Sequence, residues 1–420
     1  MTTMAVGVDP SVARRRAIEA LRAGVPSRDA VAATGSGQAA IEDRFVALRD
    51  AAAAGNPAGL LLGGGFGTGK SHLIEHLSRL ALDAGFAVSR VVISKETPLH
   101  DPAKVFAAAA ESAVVADHPK PAIVEAAAAL DTDGRAYAEL LRWAASAGSG
   151  LNERFAATLA LFAQVRHRDA AFANTIVRFW SGDPIATPEL RRRLKEIGET
   201  RPSLPPVAAR ELGLQRLRFA AKLLVAAGSA GWLIFFDEVE LIGRYSLQQR
   251  AKSYAEIARW MRGEHGGPGV PIAAVLAMTD DFEAAVITGR NDRELVPEKL
   301  RAKGTPEAMA LAAAATQGMR IIDREMRLLT PPDEDELAHA YARLKELHGE
   351  VFGWLPPDVG GLERLGATRM RQYVRTWISE WDLIRLDPSY RPETEMVEIS
   401  SNYREDPDLE LSERSAASGA

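Results

Sequence analysis

Cysteine does not occur among the 420 residues. Disulfides, thiolate nucleophiles, cysteine-ligated zinc and iron–sulfur clusters are thereby excluded, and a cytoplasmic address is expected. A surplus of positive charge is also missing. Lys and Arg number 51 against 56 Asp and Glu, a formal charge of −5, so any contact with nucleic acid is expected to be local or shared between subunits. Long apolar runs are missing too. The longest, Leu223–Phe236, is interrupted by Gly228, Ser229 and Gly231 and falls short of the ~20 residues of a membrane span. Arg14, Arg15 and Arg16 are followed by no apolar block of signal-peptide type, so no membrane association is expected. What is present, 47% hydrophobic and 25% charged residues, is the composition of a globular chain, long enough for two or three units of roughly 150 residues.

Along the chain, Pro10–Gly24 and 38–54 carry helical spacing of apolar residues and form an N-terminal helical lead-in, residues 1–54. Gly59–Gly63 is a short apolar strand running into a glycine-rich turn and then a helix at Ser71–Ala84. Ala87–Ile93, Trp232–Phe236 and Ile272–Met278 read as further strands of the buried parallel kind, with a fifth at Met326–Leu329. Alternation of strands with helices predicts an α/β fold with a parallel sheet over 55–330, the fourth strand lying between the first and third. Some 135 residues separate the second and third strands, far more than one crossover helix needs. Their Ala-rich segments, broken at Asp183-Pro184 and Arg201–Pro206, predict a large helical insertion over 94–231. Asp335–Leu347 and Ala367–Leu386 predict a C-terminal helical domain over 333–388. The segment 391–420 has the acidic, Pro/Ser/Gly-containing composition of a solvated tail.

Gly64-Gly65-Phe66-Gly67-Thr68-Gly69-Lys70-Ser71 carries the most chemistry. Glycines let backbone N–H groups curl into an anion cradle at a helix N-terminus, Lys70 reaches the β- and γ-phosphates of ATP, and the Ser71 hydroxyl is placed to ligate Mg²⁺. The plainer reading is a glycine-rich turn, which the preceding strand and following helix disfavour. Asp237 and Glu238 end the third strand, at the mouth of a parallel sheet where ligands bind. Asp237 is the expected Mg²⁺ residue and Glu238 the group that polarises the attacking water, although a carboxylate pair also suits a helix start. Thr279, with Asp280 second to it, ends the fourth strand and is read as a γ-phosphate sensor or as an ordinary helix cap.

Arginines are harder to place. In Gly366-Ala367-Thr368-Arg369 a helix opens whose Arg369 could reach the γ-phosphate, as an alternative to a solvated helix start. Arg290 and Arg293 suit either an arginine finger toward a neighbouring subunit or a charged loop. Arg191, Arg192, Arg193 and Lys195 suit either a phosphate backbone or solvent. The eight histidines show no metal-ligand spacing. His72 and His76, four apart, are read as helix packing, and no zinc is expected.

The loop at 64–71, Phe235-Phe236-Asp237-Glu238, the position near 279 and Gly366–Arg369 resemble the AAA+ ATPases, over about residues 40–385. More narrowly, Ala17–Pro26, Gly64–Leu73 and Asp237-Glu238-Val239-Glu240 resemble the ATP-binding proteins of BREX phage-defence systems, of the type 2, phage-growth-limitation-like kind. The resemblance implies a Mg²⁺-dependent ATPase working as a homo-oligomer, with a C-terminal helical lid over 333–388. It further implies partnership with DNA and with other phage-defence proteins such as methylase and helicase components. A motor or loader and a slow nucleotide-gated switch or scaffold with little turnover both fit these motifs.

Overall fold

The computed structural model describes residues 9–116, 118, 121–198, 204–359, 370–391 and 403. Strands β1 (Gly59–Gly63), β2 (Ala87–Val92), β3 (Trp232–Asp237), β4 (Ile272–Met278) and β5 (Arg327–Leu328) form one parallel sheet in the order β2-β3-β4-β1-β5. The fold is α/β, and β4 lies between β1 and β3 as expected. A parallel sheet must be covered on both faces, which is why β3 and β4 are apolar and buried along their whole length. Alternate residues of β3 serve opposite layers. Leu233 and Phe235 pack under α3 (Ala39–Ala53) and α4 (Lys70–Asp83), on Phe45, Leu73 and Leu77. Ile234 and Phe236 face the other layer. The edge strand β5 has only two residues, both exposed, a length that leaves little unpaired backbone for a foreign strand.

Between β2 and β3 run seven α-helices among the described residues: α5 (Pro102–Ser112), α6 (Ala122–Ala129), α7 (Arg135–Ala145), α8 (Glu153–Val165), α9 (Ala170–Ser181), α10 (Thr187–Glu196) and α11 (Ala209–Ala226). Their core is aromatic. Phe155 lies 4.8 Å from Phe219 and 5.4 Å from Phe179, and Phe162 lies 4.9 Å from Trp180 between ring centres. The Trp180 indole N–H donates to Thr158 at 3.0 Å, so this large ring is buried without an unpaired donor. The core is continuous with the sheet through Phe106, edge-on to Trp232.

On the same side of the sheet, α12 (Leu247–Met261), α13 (Asp292–Arg301) and α14 (Pro306–Glu325) pack together. Gly318 lets α14 cross α12 closely, since a Cβ there would fall 1.9 Å from the Tyr254 carbonyl oxygen. A buried fork from Arg250 to both oxygens of Asp292, each 2.8 Å, fixes α13 to α12, with the Tyr254 hydroxyl donating to Asp292 at 2.7 Å.

The remaining helices join distant parts of the chain. Helices α1 (Pro10–Ala23) and α2 (Arg28–Thr34) share one core with α15 (Glu334–Phe352) and α16 (Met370–Leu386). Ala17, Ile18, Leu21 and Ala30 meet Leu344, Leu347, Tyr373, Trp377, Ile378 and Trp381. Within the segment read as lead-in, α3 packs on the sheet through Ile41, Phe45, Leu48 and Ala52.

Candidate functional site

Strand register brings three chain segments to one edge. Gly63 pairs with Met278 across β1 and β4, and Phe236 pairs with Leu276 across β3 and β4. Residues 64–69, Asp237–Glu238 and Thr279–Asp280 therefore all leave the sheet at its C-terminal edge. The loop and Asp237 stand on either side of β4, two strand spacings or roughly 10 Å apart.

The loop turns through Gly67 and Gly69, whose φ of 82° and 106° suit glycine. Gly64 has no room for a side chain: its Cβ would fall 2.6 Å from the Thr68 hydroxyl oxygen. Thr68 donates that hydroxyl to the Gly65 carbonyl at 2.9 Å, and the Gly64 N–H donates to Met278 at 3.2 Å, tying the loop to β4. Lys70 opens α4 and is buried. Its ammonium donates to the carbonyls of Gly64 at 2.7 Å and Gly65 at 3.1 Å. Ser71 and Phe66 lie at the helix start and the loop tip, Phe66 being 49% exposed.

Asp237 is buried, and its Oδ1 accepts the backbone N–H of Glu238 at 3.0 Å. Glu238 is held at φ 57°, a left-handed conformation that costs an ordinary side chain about 1 kcal/mol or more. Partial burial and the like charge of Asp237 raise its pKa, while Lys70 opposes the rise. Two residues on, Glu240 is raised further, to about 7, chiefly by burial and again against the pull of Lys70. Its Oε2 is buried with no hydrogen-bond partner among the described residues. The sequence reading gave Glu240 no role; the repeated acid in Asp237-Glu238-Val239-Glu240 was the available signal.

Thr279 is buried, and its hydroxyl shares a hydrogen bond with Tyr403. The same Tyr403 hydroxyl lies 2.6 Å from Asp281, its ring meets Phe282 edge-on, and its carbonyl accepts from Arg290. No local pattern pointed to Tyr403, which comes from the segment read as a tail. Asp280 lies beside the loop, its carboxylate 3.8 Å from the Cβ position of Gly65.

The other candidates lie elsewhere. Arg293 is engaged within its own chain by Glu283 at 2.5 Å and Asp323 at 3.5 Å. Arg192 and Arg193 pair with Glu189 on α10, and Arg193 also with Asp169. Arg369 and the preceding Gly366–Thr368 lie outside the described residues. His72 lies 2.8 Å from the Gly35 carbonyl and 3.2 Å from the Thr34 hydroxyl, joining α4 to the end of α2, and burial lowers its pKa. His76 is 3.1 Å from Glu42 of α3.

A five-stranded parallel sheet with a glycine loop entering a helix at its C-terminal edge is compatible with the P-loop fold. Residues 10–284 match the family described as BREX system ATP-binding protein BrxC/D, and the chain belongs to that family of ATP-binding proteins. The match runs from α1 through β4 and Thr279. No curated relative and no solved structure matches the chain. No helix among the described residues is long and apolar enough to cross a membrane.

Proposed function

We propose that the chain binds ATP and Mg²⁺ at Gly64–Ser71 and hydrolyses the nucleotide, as the AAA+ type ATPase component of a phage-defence system. In this reading it works as a homo-oligomer beside DNA-modifying partners. One observation carries the site: the buried Lys70 ammonium stands at the same sheet edge as Asp237, Glu238 and Glu240, close enough to oppose the pKa rise of both glutamates. Buried charge of both signs gathered around a glycine cradle suits a ligand that is itself a metal-bound polyanion.

The donor set fits Mg²⁺, which takes hard oxygen ligands. Ser71 makes no hydrogen bond through its hydroxyl among the described residues, whereas Ser78 of the same helix bonds back to Ile74 at 2.6 Å. The second carboxylate oxygen of Asp237 likewise accepts none there. When bound, the ion supplies charge neutralisation at the β- and γ-phosphates. Lys70 exchanges its two loop carbonyls for phosphate oxygens, Glu238 takes the proton of the attacking water, and Thr279 reads the γ-phosphate. Arg369 is proposed as a second γ-phosphate contact from the helical lid, and the helices of 94–231 as an insertion that docks a partner.

For Glu238→Gln, retained ATP affinity by calorimetry and a turnover loss of about a hundredfold or more are expected, because the amide is nearly isosteric but cannot act as a base. Turnover at the wild-type rate would place the base elsewhere. The Thr279–Tyr403 contact favours a second reading, a slow nucleotide-gated switch, since it occupies the hydroxyl that would face the γ-phosphate. Steady-state turnover with and without duplex DNA separates the two: strong stimulation supports a motor, and tight nucleotide retention with negligible turnover supports the switch.

A further inference from the structure

A cavity of about 550 Å³ opens where the ends of α12 and α13 meet α14, away from the glycine loop. Four arginines line it, Arg262, Arg301, Arg320 and Arg324, together with Thr316 and Gln317. One acid borders it, Glu325, and it is held by Arg262 at 2.6 Å. Arg301 and Arg320 form no ion pair among the described residues and are exposed. The carboxylate nearest Arg324, that of Asp323, is 4.0 Å away and also faces Arg293. Residues 299–327 hold six basic side chains and three acidic ones, in a chain whose formal charge is −5.

Helix dipoles favour a cation at the end of each of these helices. They account for Arg262, Arg301 and Arg324 one at a time, but not for Arg320 in the body of α14, nor for the convergence of all four on one hollow. Like charges drawn together around one solvent-exposed hollow repel one another and sum to a local positive field, an arrangement that an anion stabilises. Guanidinium forks match phosphate oxygens two at a time. Among the described residues no aromatic ring borders the cavity on which a base could stack, and the volume exceeds the need of a single phosphate.

We propose that this cleft binds successive phosphates of a nucleic-acid backbone, without reading bases. The site is separate from the nucleotide loop but linked to it through the sheet. Helix α14 passes through Met326 directly into β5, which pairs with Leu62 and Gly63 of β1, the strand that feeds the loop. The run at 191–193 is the weaker candidate for the same task, because Arg192 and Arg193 already hold carboxylates.

The test uses the full chain and a fluorescently labelled duplex of random sequence, with anisotropy followed across a salt series. Wild type is expected to bind with log K falling linearly in log salt, by about 0.9 for each phosphate neutralised. Arg301→Ala combined with Arg320→Ala should weaken binding about tenfold or more and make that slope shallower by roughly two. Arg320→Lys should keep the slope, because a charge on phosphate survives the change. ATP affinity of the double variant, by calorimetry, should equal that of wild type, which separates this site from the loop. Absence of duplex binding by wild type, or an unchanged affinity and slope in the double variant, overturns the proposal. So does saturable binding of tripolyphosphate that the double variant loses while duplex binding persists, since that assigns the cleft to a free polyphosphate.

Discussion

Charge is treated differently at the C-terminal edge of the sheet and in the helices between β2 and β3. At the edge, the Lys70 ammonium is buried on two neutral carbonyls, Asp237 has one oxygen engaged, and Glu240 keeps a buried oxygen without a partner. In the helices, Arg193 is held by Asp169 and Glu189 and lies 4.6 Å from the Phe172 ring centre. Arg216 is answered only in part: it lies over Phe179 at 5.0 Å and donates to the Asp183 carbonyl at 2.5 Å, but its Nε is buried without a partner among the described residues and burial lowers its pKa to about 10. A polar group that is buried and unanswered costs a folded protein stability. What distinguishes the edge is that its unanswered carboxylate oxygen gathers with a buried ammonium and a second buried carboxylate around one loop, which is the arrangement the proposed nucleotide site requires.

The contrast is broken most directly by Lys70→Ala. If the edge waits for phosphate, removing its cation should weaken ATP binding by several kcal/mol, a hundredfold or more in affinity, in a chain that remains folded. Calorimetry on the purified variant decides it, and unchanged affinity would remove the phosphate role from the loop.

A smaller effect sharpens the same contrast through pH. The folded-state pKa of Glu240 lies above its unfolded value, so the native chain holds a proton that the unfolded chain has released. Its contribution is fully present below about pH 4.5 and is lost as pH rises through about 7, to a total on the order of 3 kcal/mol. Urea melts of nucleotide-free protein should show stability falling across that window, and Glu240→Gln should flatten the fall. An identical pH profile in the variant would show that the carboxylate is answered after all.

The smallest effect is expected in the helices. Arg192→Ala removes exposed pairs with Glu189 and Glu196 on α10, and such pairs contribute about 0–1 kcal/mol. Thermal unfolding should move by little and ATP affinity not at all. A loss much beyond that range would mean that the helical pairs act as a network.

Strands β1, β3 and β4 and the loop between β1 and α4 were legible because their signals are local: apolar runs of strand length, then glycines at fixed spacing before Lys70 and Ser71. Helix α2 was missed, since its seven residues offer little periodicity. Helix α10 was read only as a run of charge, because Arg191–Lys195 obscures the buried Leu190 and Leu194 four residues apart. The edge order of Asp237 and Thr279 followed from strand positions. The state of Glu240 and the Tyr403 hydrogen bond did not, because both depend on what lies above the sheet, and Tyr403 is 124 residues from Thr279.

The shared core of the first and last described helices bears on how the chain is made. Ile18 and Leu21 leave the ribosome early, but their partners Trp377, Ile378 and Trp381 follow only after roughly 350 further residues, which at 5–20 residues per second takes on the order of 20–70 s. During that interval the sheet and its flanking helices can fold, while the apolar faces of α1 and α2 lack their final cover. Their exposure to chaperones, or to a second nascent chain, is therefore set by the clock of translation.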